Sequence, residues 1–272
     1  MKCVSVVSNI NRDSNLLHTS KLVDTLVSAG VRVKMCESCT VNGAQSVPWE
    51  DLFKDSDMLI AMGGDGTILS LAPECSRYGM PIFGINLGHM GFLSVMEKDD
   101  FSNIVNSGYR TEERLMLKAC VGNETMYALN DICISRGTSA RIIKIKVYAD
   151  DRLVGIYDAD GFIVSTPTGS TAYSLSAGGP VVCPDMELMI LTPVCSHSLT
   201  NVRSVIIPAA SKVKISVETE NDNDAMVSAD GRSAVHLTRD MIVEIEKNDK
   251  KLRLVRKNDS DFFDTMRSKL ER

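Results

Sequence analysis

The stretch Asp57-Met58-Leu59-Ile60-Ala61-Met62-Gly63-Gly64-Asp65-Gly66-Thr67 decides the class of fold. Residues 58–62 form an unbroken apolar run, the pattern of a strand buried on both faces. Three glycines then make a tight turn, and residues 68–78 read as a helix. Outward from this strand–turn–helix unit, residues 4–7, 31–35 and 81–85 read as further strands. Residues 14–29 read as a helix with Leu16, Leu17, Val23, Leu26 and Val27 on one face and Gly30 as its stop. A further helix is expected over 99–107. Strands alternating with helices predict a Rossmann-like α/β domain with a mostly parallel sheet over residues 1–108.

Beyond Gly108 the rhythm changes. Apolar runs at 115–121, 127–135, 142–149, 153–157, 162–165, 213–217 and 241–246 follow one another closely, with turn signals between many of them. Asp230-Gly231 is a strong hairpin turn and Asn248-Asp249 a second turn candidate. This density predicts an all-β domain, a β-sandwich, over 109–256. Residues 257–272 read as a helical tail, with Phe262, Phe263, Met266 and Leu270 on one side, expected to pack back on the first domain.

The chain has 272 residues, 44% apolar and 24% charged, with a net charge of −5. That balance lacks the broad basic field of nucleic-acid or anionic-membrane binding, and no apolar stretch reaches the ~20 residues of a membrane span. The beginning, Met1 to Val7, reads as a strand and not as a secretory leader. Eight scattered cysteines in a chain of this size point to reduced thiols and a cytoplasmic setting. Cys36 and Cys39 have CxxC spacing but no second pair or nearby histidine, so two incidental thiols is the better reading than a metal site. No dedicated metal-ligand set is expected.

Gly63, Gly64, Gly66 and Thr67, at the start of a helix, form a loop suited to phosphate: backbone N–H groups come close and the helix end adds partial positive charge. It is neither a Walker loop nor GxGxxG. Asp65 stands out, because a carboxylate repels phosphate. It makes sense as a partner of Mg²⁺ or as the base of an attacking hydroxyl, or simply as an N-cap. Residues 160–180, from Asp160-Gly161-Phe162 through Thr166-Pro167-Thr168-Gly169-Ser170-Thr171-Ala172-Tyr173-Ser174-Leu175-Ser176 to Gly179-Pro180, read as a short strand, a hydroxyl-rich turn and a brief helix start that Ser170 and Thr171 can cap. Short donors and acceptors beside the face of Tyr173 suit an adenine ring; otherwise this is a Ser/Thr loop with a core tyrosine.

Gly-Gly-Asp-Gly-Thr resembles the signature shared by NAD kinases, diacylglycerol and sphingosine kinases and, more distantly, phosphofructokinases. The run Gly84-Ile85-Asn86-Leu87-Gly88-His89-Met90-Gly91-Phe92-Leu93 narrows the resemblance to NAD kinases, and residues 160–180 follow that family's motif almost letter for letter. The resemblance implies phosphorylation of the adenosine-ribose 2′-hydroxyl of NAD, with ATP or inorganic polyphosphate as donor and Mg²⁺ or another divalent cation. It makes Asp65 catalytic. It places Asp65, Gly66, Asn130, Asp131, Arg141, Asp158, Asp160, Thr168, Thr171, Ala172, Tyr173, Ser174, Leu175, Ser176 and Arg232 among the nucleotide-binding residues. Asp158 stands where ATP-restricted members often carry arginine, which leaves polyphosphate open as donor. A homodimer or homotetramer is implied, binding small molecules and neither nucleic acid nor membrane. The competing readings are a diacylglycerol-type lipid kinase, which leaves residues 160–180 unexplained, and a silent dinucleotide sensor, which has no need of Asp65.

Overall fold

The computed structural model describes the chain except residues 89–90, 99–100, 102–103, 105–107, 138–140, 198–202, 219–224, 240, 259–260 and 271–272, and the side chain at 233. His89 and most of the helix expected over 99–107 lie outside the described residues. The chain divides into two compact units: Met1–Glu113 with Lys250–Arg272, and Arg114–Asp249.

The first unit is built on an eight-stranded sheet. Its order is Gln45–Val47, Arg32–Cys36, Cys3–Ser8, Met58–Gly63, Ile82–Asn86, Leu252–Lys257 and Tyr109–Arg114, with Met96–Glu97 also paired to Ile82–Asn86. The pairs from Gln45–Val47 through Leu252–Lys257 run parallel. Leu59, Ile60, Ala61 and Met62 are at most 1% exposed, which is why this strand is apolar without alternation; each large side chain there contributes about 1.5–3 kcal/mol by burial. The helix Leu17–Ser28 buries Thr19, Leu22, Val23 and Leu26, while Leu17 and Val27 point to solvent. The buried face is thus turned from the one the apolar residues suggested.

Leu252–Lys257 crosses the expected boundary at 256. Leu254 pairs with Ile82 in the first sheet, so the chain returns to the first unit as a strand before any tail begins. The tail itself is the helix Phe262–Leu270, none of whose side chains is buried.

In the second unit two six-stranded sheets, antiparallel in their described pairings, share one apolar core. One sheet contains Leu117–Val121, Glu124–Ala128, Ile143–Ala149, Arg152–Ala159, Val213–Glu218 and Ile242–Lys247. The other contains Asp131–Arg136, Gly161–Ser165, Leu188–Val194, Val205–Pro208, Ala225–Ala229 and Arg232–Leu237. Leu117–Val121 alternates buried and half-buried residues, as a strand covered on one face must. Gly161–Ser165 and Leu188–Val194 are buried throughout. They are covered on their second face too, where Cys133, Ile163 and Val194 pack with Ala177. The hydroxyl-rich segment therefore lies on the outer side of this sheet.

The run 127–135, expected as one strand, is two strands in different sheets. Glu124–Ala128 ends one, Asp131–Arg136 begins the other, and Leu129 and Asn130 turn the corner.

Candidate active site

In the first unit the sequence runs from Cys3–Ser8 to Arg32–Cys36 on one side and reaches Met58–Gly63 on the other. The carboxyl ends of Cys3–Ser8 and Met58–Gly63 thus flank a topological switch point, where open α/β sheets bind ligands. The helix after Gly63 starts at Asp65, three residues earlier than expected, with Gly64 as N-cap and no side-chain cap bond. Asp65, Gly66 and Thr67 are its first turn, and Asp65 is not the N-cap. The Thr67 N–H is turned to the Gly64 carbonyl at 2.9 Å, leaving the amides of Asp65 and Gly66 at the open helix end.

The Asp65 carboxylate is gripped by the second glycine-rich loop. Oδ2 accepts the Phe92 N–H at 2.8 Å and the Leu93 N–H at 3.3 Å, and Oδ1 accepts the Ser94 hydroxyl at 3.0 Å. Gly91 passes so close that a Cβ there would overlap the carboxylate. Arg256 holds the same loop through the carbonyls of Phe92 (2.6 Å) and Leu93 (3.3 Å).

Sequence reasoning missed Arg256, and also Asn9 and Arg12. Arg12 is exposed, and its Nη1 lies 2.7 Å from where a Cβ on Gly64 would sit. Asn9 donates its backbone N–H to the Met62 carbonyl at 2.8 Å. The only local signal was the abrupt polar run after the first strand.

In the second unit Asn130 and Asp131 sit at the corner between the sheets. Asp131 is 5% exposed; burial, and then the charge of Asp230, push its carboxyl up to about 7. Tyr173 begins the short helix Tyr173–Ser176 and is 48% exposed. Burial raises its hydroxyl's pKa, with the thiols of Cys133 and Cys195 and the carboxyls of Asp131 and Asp160 contributing, so Tyr173, Asp131 and Asp160 share one neighbourhood. Asp160 pairs with Arg136 at 3.3 Å.

The turn Thr168–Thr171 is a 3-10 helix. Ala172, with no side-chain cap bond, is the N-cap of Tyr173–Ser176; Ser170 instead fastens residue 182, its Oγ accepting the Val182 N–H at 3.1 Å. Thr168 is 9% exposed, and its buried hydroxyl has no hydrogen-bond partner among the described residues. Thr171, Ala172 and Leu175 are half-buried and Ser176 is exposed. Ser174 is fully buried, its hydroxyl 3.2 Å from that of Thr192. Asp158 is exposed on Arg152–Ala159, opposite Lys144. Arg141 is exposed just before Ile143–Ala149. Arg232 is half-buried beside Asp230, 3.9 Å between Nη2 and Oδ2.

Residues 4–112 match the ATP-NAD kinase N-terminal domain and residues 129–257 the ATP-NAD kinase C-terminal domain. The chain belongs to the NAD kinase family. An NAD kinase of Caldanaerobacter subterraneus subsp. tengcongensis is 39% identical over 99% of both chains. One of Acetivibrio thermocellus is 35% identical over 98% of this chain and 96% of its own. Among solved structures, an NAD kinase from Archaeoglobus fulgidus in complex with ATP is 28% identical, with TM-score 0.79, covering 100% of this chain and 99% of that one. Yeast NADH kinase complexed with NADH shares the fold at TM-score 0.86 and 24% identity, covering 100% of this chain and 88% of that one. The protein is thus a phosphotransferase that phosphorylates NAD. No helix among the described residues is long and apolar enough to cross a membrane.

Proposed function

We propose that the enzyme moves the terminal phosphoryl group of ATP or inorganic polyphosphate onto the 2′-hydroxyl of the adenosine ribose of NAD, with Asp65 as acid/base partner. The observation that carries this reading is the state of the Asp65 carboxylate. A carboxylate has about four acceptor sites. Phe92, Leu93 and Ser94 occupy three and leave one for a substrate hydroxyl. The same bonds fix its direction, as a base needs.

As the hydroxyl oxygen forms its bond to the terminal phosphorus, its proton passes to Asp65. The bridging oxygen takes the electron pair of the breaking P–O bond and leaves with ADP or the shortened polyphosphate. Proton transfer of this kind contributes about 10²–10⁴-fold. The loop of Gly63, Gly64, Gly66 and Thr67 binds donor phosphate through the open amides of Asp65 and Gly66, and Arg12 adds positive charge there. Asn130, Asp131, Asp160, Thr168, Thr171, Ala172, Tyr173, Leu175 and Ser176 bind the dinucleotide, Ser174 supports them from within, and Arg141 and Arg232 offset its phosphate charge.

Among the described residues no group of three His, Cys, Asp or Glu could hold a metal ion. A divalent cation such as Mg²⁺ would then come with the donor's phosphates rather than sit in a dedicated protein cage. When bound, it neutralises charge on the transferring oxygens. A cytoplasmic setting is supported by the scatter of eight cysteines along a chain large enough to need no disulfide staples. A homodimer or homotetramer is supported by exposed Leu153 and Ile156 on the edge strand Arg152–Ala159.

The test is incubation with NAD, Mg²⁺ and either donor, followed by assay of the product with a dehydrogenase strict for 2′-phosphorylated NADP. Phosphate transferred elsewhere on NAD, or no product with either donor, overturns the reading.

A further inference from the structure

The corner at 129–131 is held entirely from outside itself. The Asp230 carboxylate, its side chain wholly buried, accepts three successive backbone N–H groups. Leu129 donates to Oδ2 at 2.9 Å, and Asn130 and Asp131 donate to Oδ1 at 2.7 and 3.1 Å. Three consecutive amides converging on one anion make a backbone nest, filled here by a side chain of the same chain. The Asp230 N–H returns a bond to the Asp131 carbonyl at 2.9 Å.

From the other side Thr166 donates its hydroxyl to the Leu129 carbonyl at 2.6 Å and its N–H to the Asn130 carbonyl at 2.8 Å. Gly169 backs so closely onto Asn130 that a Cβ would overlap that carbonyl. Every backbone N–H and C=O of residues 129–131 is thereby engaged, and the Asn130 and Asp131 side chains are what the corner has left to offer a ligand. Asp230 itself is on the hairpin turn joining Ala225–Ala229 to Arg232–Leu237, with φ of +50° followed by +69° at Gly231, the conformation that a two-residue turn of this type demands.

We propose that Asp230 is a positioning residue for NAD recognition: its carboxylate fixes the 129–131 corner so that Asn130 and Asp131 meet the dinucleotide. The proposal rests on the reading that those two side chains contact NAD. Losing the charge leaves buried N–H groups facing a poorer acceptor, and the corner relaxes away from the geometry the ligand needs.

Asp230→Asn is the test, because asparagine tolerates the left-handed backbone but presents an NH₂ where Leu129 needs an acceptor. The expected result is a KM for NAD raised about tenfold or more, with kcat and the KM for ATP within about twofold of wild type. The double variant Asn130→Ala/Asp131→Ala is measured beside it, and so is the triple variant carrying all three changes. Because Asp230 acts through the corner, adding Asp230→Asn to the double variant should raise KM for NAD no further. If the double variant leaves KM for NAD unchanged, the contact reading fails and the proposal with it. If the double variant raises KM but Asp230→Asn alone does not, or if the effects multiply in the triple variant, the proposal alone fails. Should Asp230→Asn not fold, Asp230→Ser, whose hydroxyl can accept fewer of the three amides, is expected to give the same KM split; an unchanged KM for NAD there overturns the proposal.

Discussion

The backbone N–H of Phe92 donates to Asp65 Oδ2 at 2.8 Å, tying the first turn of a helix to a loop 27 positions later. The two glycine-rich segments are therefore one structure, and the carboxylate between them has its orientation set before any substrate arrives.

Asp65→Asn removes the charge and one acceptor oxygen. We expect kcat to fall about 10²-fold or more, with NAD binding largely intact. Steady-state kinetics with a direct NAD-binding measurement checks this. A loss of less than about fivefold would mean that Asp65 only anchors the loop.

Gly91→Ala places a methyl group inside the space of the Asp65 carboxylate. The loop must retreat, so both turnover and melting temperature should drop, the latter by the equivalent of about 1–3 kcal/mol. Wild-type values for both would contradict the close approach.

Tyr173 is 48% exposed, so its ring contributes little to the fold. Tyr173→Ala should weaken NAD binding by about 1–3 kcal/mol through lost stacking and barely move the melting temperature. A large drop in melting temperature with unchanged affinity would identify the ring as part of the core.

Burial and the neighbouring Asp230 raise the Asp131 carboxyl from 3.8 to about 7. Burial raises Asp230 as well, while its three backbone N–H bonds and Arg232 act in the opposite direction. Between about pH 4 and 7 the folded chain keeps a proton that the unfolded chain releases, and stability falls as pH rises through that window. Asp131→Asn cannot ionise. Its melting temperature should decline less than that of wild type from pH 5 to pH 8, and parallel declines would refute the assignment.

Asp158→Arg should shift donor preference toward ATP, since an arginine meets a triphosphate and hinders a longer polyanion. The check is kcat/KM for both donors in wild type and variant. An absence of polyphosphate activity in the wild type at saturating Mg²⁺ would sink the donor argument and leave NAD phosphorylation untouched.

The features legible in the sequence are those encoded by a few adjacent residues. The apolar run 58–62 can only be a strand covered on both faces, and the glycines after it force a turn. Asp230-Gly231 specifies its hairpin through two backbone angles that this dipeptide tolerates. The hydroxyl-rich segment from Thr166 to Ser176 is distinctive as an ordered string, whatever lies behind it.

What only the tertiary structure decided depends on partners far apart in the chain. The run 127–135 reads as one strand because its apolar character continues across Leu129. It breaks there because Asp230, about a hundred positions away, binds the amides of the corner. The second glycine-rich loop holds its place through Arg256, 164 positions beyond Phe92. Leu252–Lys257 looks like one more strand of the β-rich half until its pairing with Ile82–Asn86 assigns it to the other sheet. Local sequence sets backbone preference and which faces are apolar. Which distant N–H meets which carboxylate is set by the folded chain alone, because that choice is made by satisfying buried polar groups.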